Sequence, residues 1–358
     1  MIKQRLVAPL LMTGACLVGL FSSLTMQAAS TAPDNVSSLK GEVNVYSARK
    51  EALIKPLLDD FTAQTGVEVN LVTGKGDALL TRLKSEGKNT PADILITTDV
   101  GRLERAKAAG VLQAVSSPDL NQSIPATYRD EAGFWYGLSL RSRVIVFNPK
   151  KIQKGQLSTY KDLADPKWKK QICIRSSSNI YNQSLVSSMI AHDGLAQTEA
   201  WISGLVANFA RPPRGGDRDQ IKAVAAGQCH IAVVNSYYLG AMLNSSNAKE
   251  QAAAKQVTLF WPNQGANERG THMNISGAGI TQYAKNKEAA LALIQFLSAD
   301  KAQQWYGEQN NEYPVRHNIA SSETLKAWGD FKADTLPVDK LAKYNTDAVK
   351  AMDRAGWK

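Results

Sequence analysis

The chain has 358 residues, 44% of them hydrophobic, and a formal charge of +10 from 42 Lys and Arg against 32 Asp and Glu. That length and apolar share suffice for two modest domains or one large one, which excludes a chain too small or too polar to bury a core. The basic excess does not read as nucleic-acid binding, because Lys and Arg are interspersed with Asp and Glu from Lys40 to Lys358 rather than gathered into a patch.

The first element is a leader. Lys3 and Arg5 precede an apolar run from Leu6 to about Leu24, followed by small residues through Ala32. This is the pattern of a cleavable secretory signal peptide, expected over residues 1–29 to within a few residues. A membrane anchor is disfavoured, since Gly14, Gly19, Ser22 and Ser23 dilute the run and no basic cluster follows it. Cys16 lacks the leucine three residues upstream that lipid attachment favours. Cleavage removes Lys3 and Arg5 and leaves the mature chain at a formal +8.

After a polar stretch from Ala29 to Leu39, strands and helices alternate. Glu42 to Tyr46 reads as a strand, and Lys50 to Thr65 places Leu53, Ile54, Leu57, Leu58 and Phe61 on one helical face closed by Gly66. A second strand, Val67 to Val72, leads through GKGD to a helix carrying Leu79, Leu80 and Leu83. A third, Ala92 to Thr97, gives way at Asp99 to a helix that stops at Gly110. Such spacing predicts βαβ crossovers and a parallel sheet with ligand sites beyond the carboxyl ends of its strands. Tyr46 to Arg49, Thr73 to Asp77 and Thr97 to Asp99 fall at those ends, so Arg49 and Lys75 are positioned to line a cleft. GKGD lacks the spaced glycines of a phosphate loop and reads as an ordinary turn.

A second unit opens with the strand Arg143 to Phe147, ended by Asn148-Pro149. A helix near Leu185 to Ala191, the string GQCHIAVVNSYY, a returning strand at Ile275 to Ile280, and helices at Lys287 to Leu297 and Lys301 to Tyr306 follow. A chain that crosses back makes a hinge, so the predicted units are discontinuous: 40–138 plus 270–318, and 139–269 plus 319–358.

The chemistry-bearing residues are tyrosines. Tyr237 and Tyr238 adjoin in NSYYLG, and Tyr181 lies in IRSSSNIYNQSL. A lone tyrosine is ordinarily a structural residue, half-buried with its hydroxyl hydrogen-bonded. Three phenolates, however, are hard donors that would cancel the charge of one ferric ion. Neighbouring strand residues point to opposite faces, so Tyr237 and Tyr238 can share a ligand only if the strand has ended and the backbone turns there. A free phenol titrates near pH 10, yet a small tripositive cation favours phenolate, so binding would release protons and weaken in acid. The four histidines, His192, His230, His272 and His317, show no metal-ligand spacing. Beyond the leader, Cys173 and Cys229 form an even pair in an oxidising compartment; a disulfide is the expectation and two buried thiols the alternative.

These strings resemble the ferric-iron-binding periplasmic proteins of ABC importers, in particular the branch that carries SSSNIYNQS together with a Tyr-Tyr pair. The resemblance covers nearly the whole mature chain and is densest from Gln171 to Gly279. It implies an α/β fold of two lobes, each a central, mostly parallel sheet flanked by helices, with hinge crossings. The implied protein is no enzyme: a periplasmic monomer that captures Fe3+ in an interlobe cleft and delivers it to an inner-membrane ABC permease with its cytoplasmic ATPase. It implies Tyr181, Tyr237 and Tyr238 as ligands. Arg141, in SLRSRVIVF, matches a position beside the metal, where a guanidinium favours phenolate and can hold carbonate or another small anion; an ordinary hinge salt bridge is its plainer role. RGTHMNISGAG matches a hinge segment, with His272 structural. The sequence departs from its relatives after the first strand, where many carry His or His-Tyr and this chain has Lys50 and Glu51. Glu51 is the natural oxygen substitute, set against its reading as an acid in a first helical turn; water, carbonate or another anion could take the place instead. Two rivals stand: the same fold holding a phosphonate or carboxylate, and a secreted hydrolase, for which no nucleophile elbow or Ser-His-Asp set is visible.

Overall fold

The computed structural model describes residues 39–358, so the predicted leader lies outside the described residues. Strand β1 (Glu42–Ser47) buries Val43 and Val45 and turns Glu42 outward, the alternation of a sheet with one face on a core. Helix α1 starts at Lys55 and runs to Thr65, later than the periodicity predicts; Glu51–Leu53 form a 3-10 turn instead. Pro56 is the reason, since a residue without N–H fits only the first turn of a helix. Gly66, at φ 75°, closes α1 in the left-handed conformation.

Strand β2 (Glu68–Thr73), α2 (Gly76–Glu86), β3 (Ile94–Thr98), α3 (Val100–Ala108) and the short α4 (Pro118–Ser123) lead to β4 (Tyr136–Phe147). Next come β5 (Ile172–Cys173), α5 (Ile180–Asp193), α6 (Leu195–Ala207), α7 (Asp217–Ala225), β6 (Ile231–Asn235), α8 (Ser236–Leu243) and α9 (Ala248–Ala254). The remainder comprises β7 (Thr258–Phe260), β8 (Met273–Ile280), α10 (Lys287–Ser298), α11 (Asp300–Asn310), β9 (Tyr313–Pro314), α12 (Glu323–Ala327), α13 (Asp339–Lys343) and α14 (Asn345–Arg354). No described helix is long and apolar enough to cross a membrane.

The strands hydrogen-bond in the order β2-β1-β3-β8-β4-β6-β5, with β7 and β9 also pairing β4. Pairing is parallel for β1 with β2, β1 with β3 and β5 with β6, and antiparallel wherever β4 or β8 takes part. The sheets are therefore mixed: local crossovers give the parallel pairs, and the two returning strands run against them. Strand β4 belongs to both halves. Its Tyr136–Ser142 stretch pairs with β8, and its Arg143–Phe147 stretch pairs with β6 and β7. It is buried along its whole length, longer than the five-residue strand predicted, and places Arg141 and Arg143 on either side of the crossing point.

Each half has its own apolar packing. One cluster gathers Val43, Val45, Phe61, Ile94, Ile96, Ile275 and Leu293 around β1, β3 and β8. Two others flank β5 and β6, one with Ile172, Leu185, Met189, Trp201 and Trp357, the other with Ile221, Val224, Val234 and Met242. Cys173 and Cys229 are disulfide-bonded with Cα atoms 5.8 Å apart, tying β5 to the turn before β6.

Candidate functional site

Tyr181 lies in the first turn of α5, where the side chain of the N-cap Asn179 accepts a hydrogen bond from Tyr181 N at 3.2 Å. Strand β6 ends at Asn235 and α8 begins at Ser236, so the chain does turn before the tyrosine pair. Successive helical residues are about 100° apart rather than opposed, and the Tyr237 and Tyr238 rings lie with centroids 4.3 Å apart. The Tyr237 hydroxyl donates to the Tyr181 hydroxyl at 3.3 Å. All three rings are half-buried. Two segments separated by 56 residues thus bring their phenols to one place.

Without a cation the surroundings of Tyr237 and Tyr238 favour their neutral form. Burial pushes the Tyr237 pKa well up, the neighbouring phenols of Tyr181 and Tyr238 push it further, and Arg141 opposes them. Burial also raises Tyr238, reinforced by Tyr181 and Asp217 and opposed by the adjacent Tyr237 hydroxyl and by Arg175. Guanidinium groups flank the cluster: those of Arg141 and Arg175 each lie 5.6 Å from the Tyr181 ring centroid. Arg141 is buried and donates from Nη2 to the Ile275 carbonyl and to Ser276 Oγ, the latter at 3.1 Å. Its Nε and Nη1 have no partner among the described residues. Buried donors left unmade cost free energy, so they are suited to an incoming anion. The plainer expectation of a hinge salt bridge at Arg141 is not what this geometry shows.

Beneath the phenols runs a charged scaffold that motif reasoning did not single out. Asp217, at the start of α7, accepts from Arg143 Nη1 at 2.5 Å, from Arg175 Nη1 at 2.6 Å and from Asn235 N at 3.1 Å. Arg143 Nη2 donates to Asn182 Oδ1 at 2.6 Å, and Asn182 Nδ2 donates to the carbonyls of Arg175 and Ser176. The backbones bearing Tyr181 and Tyr237 are therefore braced through one buried carboxylate. A sequence signal existed: Arg143 is a charge leading directly into the apolar run Val144–Phe147, and buried charges are almost always paired.

The first-half strand ends are occupied differently. Arg49 is buried and paired with Glu312 at 2.6 Å, so it is tied down rather than free to line a cleft. Lys75 and Glu51 are exposed. Asp99, at φ 85°, is fixed by its N–H on the Ile275 carbonyl at 2.8 Å and by its side chain, which accepts from Gly101 N, Asn274 Nδ2 and Ser184 Oγ. Ser184 belongs to α5, so Asp99 bridges the halves. His272 is buried, and desolvation followed by nearby Arg269 and Arg143 lowers its pKa to about 3, fitting a structural residue. Among the described residues no group of three or more His, Cys, Asp or Glu could hold a metal.

The family model of bacterial extracellular solute-binding proteins matches residues 89–333. Iron uptake protein A1 of Synechocystis sp. is 45% identical over 317 residues, covering 88% of each chain. The Fe(3+)-binding periplasmic protein of Serratia marcescens is 30% identical over 314 residues, covering 87% of this chain and 89% of the relative. Among solved structures, the Trichodesmium protein in complex with iron and citrate superposes with a TM-score of 0.86 at 51% identity, covering 89% of this chain and all of that one. The apo ferric-ion-binding protein A of Pasteurella haemolytica gives 0.83 at 42% identity, covering 88% and 98%. The chain belongs to the bacterial extracellular solute-binding proteins, which are binding proteins and not enzymes. Within that family its similarity is to the ferric-iron-binding branch, whose α/β fold it shares.

Proposed function

We propose that this protein captures ferric iron in the periplasm, with Tyr181, Tyr237 and Tyr238 as phenolate ligands, and hands it as a monomer to an inner-membrane ABC permease driven by a cytoplasmic ATPase. The observation that carries this reading is the meeting of the three phenols, with the Tyr237 and Tyr181 hydroxyls 3.3 Å apart. Tyr237 and Tyr238 resist ionisation where they are buried, and a tripositive cargo ion reverses that balance by favouring phenolate. Arg141, with two unpartnered guanidinium nitrogens beside Tyr181, suits carbonate or a carboxylate completing the coordination. The two halves close over the ion in the hinge manner of binding proteins, a reading supported by the strand β4 that runs through both of their sheets.

The deciding experiment is a visible absorption titration of the mature protein with chelated ferric iron, beside Tyr181→Phe. An intense phenolate-to-iron band saturating at one equivalent, weakened or shifted in the variant, is the expected outcome. A colourless protein would sink the iron reading. It would favour the second one, a phosphonate or carboxylate held in the same cleft, for which the free Arg141 donors are the supporting observation.

A further inference from the structure

We propose that the second half carries a separate anion site, a cleft alongside α7 built on Arg211 and Arg214, which takes a small multivalent carboxylate or phosphate. The cleft has a volume of about 450 Å3, within the range of small-molecule sites, and is lined by Arg211, Arg214, Gly215, Asp219, Lys222 and Gln228, among others. It shares no lining residue with the phenol cluster.

The charges on its walls do not balance. Asp219 is the acid among them, and its Oδ2 is engaged in accepting from Gly216 N at 2.7 Å at the start of α7. Lys222 is matched by Glu250 at 2.8 Å. Among the described residues Arg211 has no carboxylate at ion-pair distance: it donates to two neutral amide oxygens, Gln228 Oε1 at 2.9 Å and Gln220 Oε1 at 3.2 Å. A guanidinium has five N–H donors, so Arg211 keeps further ones for a ligand. Arg214 is held by its backbone, whose carbonyl accepts from Gln220 Nε2 at 2.6 Å, while its guanidinium has no ion-pair partner among the described residues. Burial and the neighbouring Arg214 both depress the Arg211 pKa, the mark of two cations repelling each other across a shared space.

The loop between them is stiff. Pro212 and Pro213 fix two φ angles, and Gly215 sits at φ +72°, where an added Cβ would stand 2.7 Å from Asp219 Oδ2. A pair of guanidinium groups held in place by such a loop loses little entropy on binding, and its fork geometry matches oxyanions bidentately.

The test follows backbone amide resonances of the full mature protein during titration with citrate and, separately, inorganic phosphate, at constant ionic strength set by chloride. Saturable shifts at Gly215, Gly216 and Gln228, weakened at least tenfold in Arg211→Gln/Arg214→Gln, are expected; comparing the two probes identifies which oxyanion the site prefers. Arg214→Gln alone, an exposed change, serves if the double variant folds poorly and should itself weaken binding severalfold. Shifts confined to the surroundings of Arg141, shifts reproduced by chloride, or affinity unchanged in the variants would overturn the proposal. Iron binding does not enter the readout, so the site stands or falls apart from the iron reading.

Discussion

In the half built on β5 and β6, three phenols with exchangeable protons stand over a scaffold in which one carboxylate, Asp217, serves two arginines. In the half built on β1, β2 and β3, the charged side chains buried at the strand ends already have partners: Arg49 with Glu312, and Asp99 with Asn274 and Ser184. The first arrangement needs an added cation to become a set of ligands, while the charges of the second are already partnered. On the proposed reading the ion therefore rests first on the phenol-bearing half, and the other half supplies closure. Each of the following changes tests that asymmetry.

The largest effect is expected from Asp217→Asn. It leaves Arg143, buried to 1% side-chain exposure, without its counter-charge, and breaking a buried pair from one side costs about 3–5 kcal/mol. Urea denaturation measures the loss, and hydrogen exchange should rise in α5, β6 and α8 before it rises in β1 to β3. Equal loosening of both halves would mean that the scaffold is not particular to the phenol side. Removing the disulfide by Cys173→Ser with Cys229→Ser comes next, at about 2–4 kcal/mol. The bridge closes a span of 56 residues and joins the segment ahead of Tyr181 to the segment ahead of Tyr237. Its loss should also weaken iron binding, whereas a purely thermal effect with unchanged affinity would separate the bridge from the site.

A third effect depends on pH. Folded His272 binds a proton only near pH 3, against about 6.5 unfolded. Its contribution to stability is complete above about pH 6.5 and is lost progressively as the pH falls toward 3, with a limiting slope of about 1.4 kcal/mol per pH unit. Asp99 acts in the opposite sense, since burial raises its pKa and the folded state takes up that proton first. The clean measurement is therefore the difference between wild type and His272→Asn, which should diverge below about pH 6 and run parallel above it. Parallel curves throughout would show that the imidazole is hydrated and outside the junction core.

The chain announced its alternation, its returning strand and its tyrosines, because hydrophobic period and residue type are local properties. The turn that lets Tyr237 and Tyr238 share one place was readable from geometry alone: adjacent strand residues diverge, so the strand had to end, and it does at Asn235. The scaffold was not readable, since Arg143, Asp217, Arg175 and Asn182 come from separate elements that only the folded chain brings together. Arg49 was legible only in part for the same reason: its position at the end of β1 could be read, but its partner Glu312, 263 residues away, could not. The antiparallel runs of β4 and β8 were likewise hidden, because strand direction follows from long-range pairing.

The smallest expected effect bears hardest on the comparison. Glu51 is exposed and sits in a 3-10 turn just after β1 whose N-cap makes no side-chain capping bond. If the first half supplies closure and no donor, Glu51→Gln should change ferric affinity by less than about threefold, under about 0.7 kcal/mol. It should also leave stability within about 0.5 kcal/mol, as surface changes usually do. Tyr238→Phe, measured alongside by competition with a chelator of known strength, should cost at least about a hundredfold, or about 2.7 kcal/mol. A loss of tenfold or more for Glu51→Gln would instead make its carboxylate the fourth oxygen donor, with the turn at Glu51–Leu53 moving toward the phenols on closure. The small anion at Arg141 would then be unnecessary in the wild type, and added citrate would divide that case: restored iron binding by Glu51→Gln identifies an anion able to replace the lost carboxylate, and no restoration identifies Glu51 as a fixed part of the site.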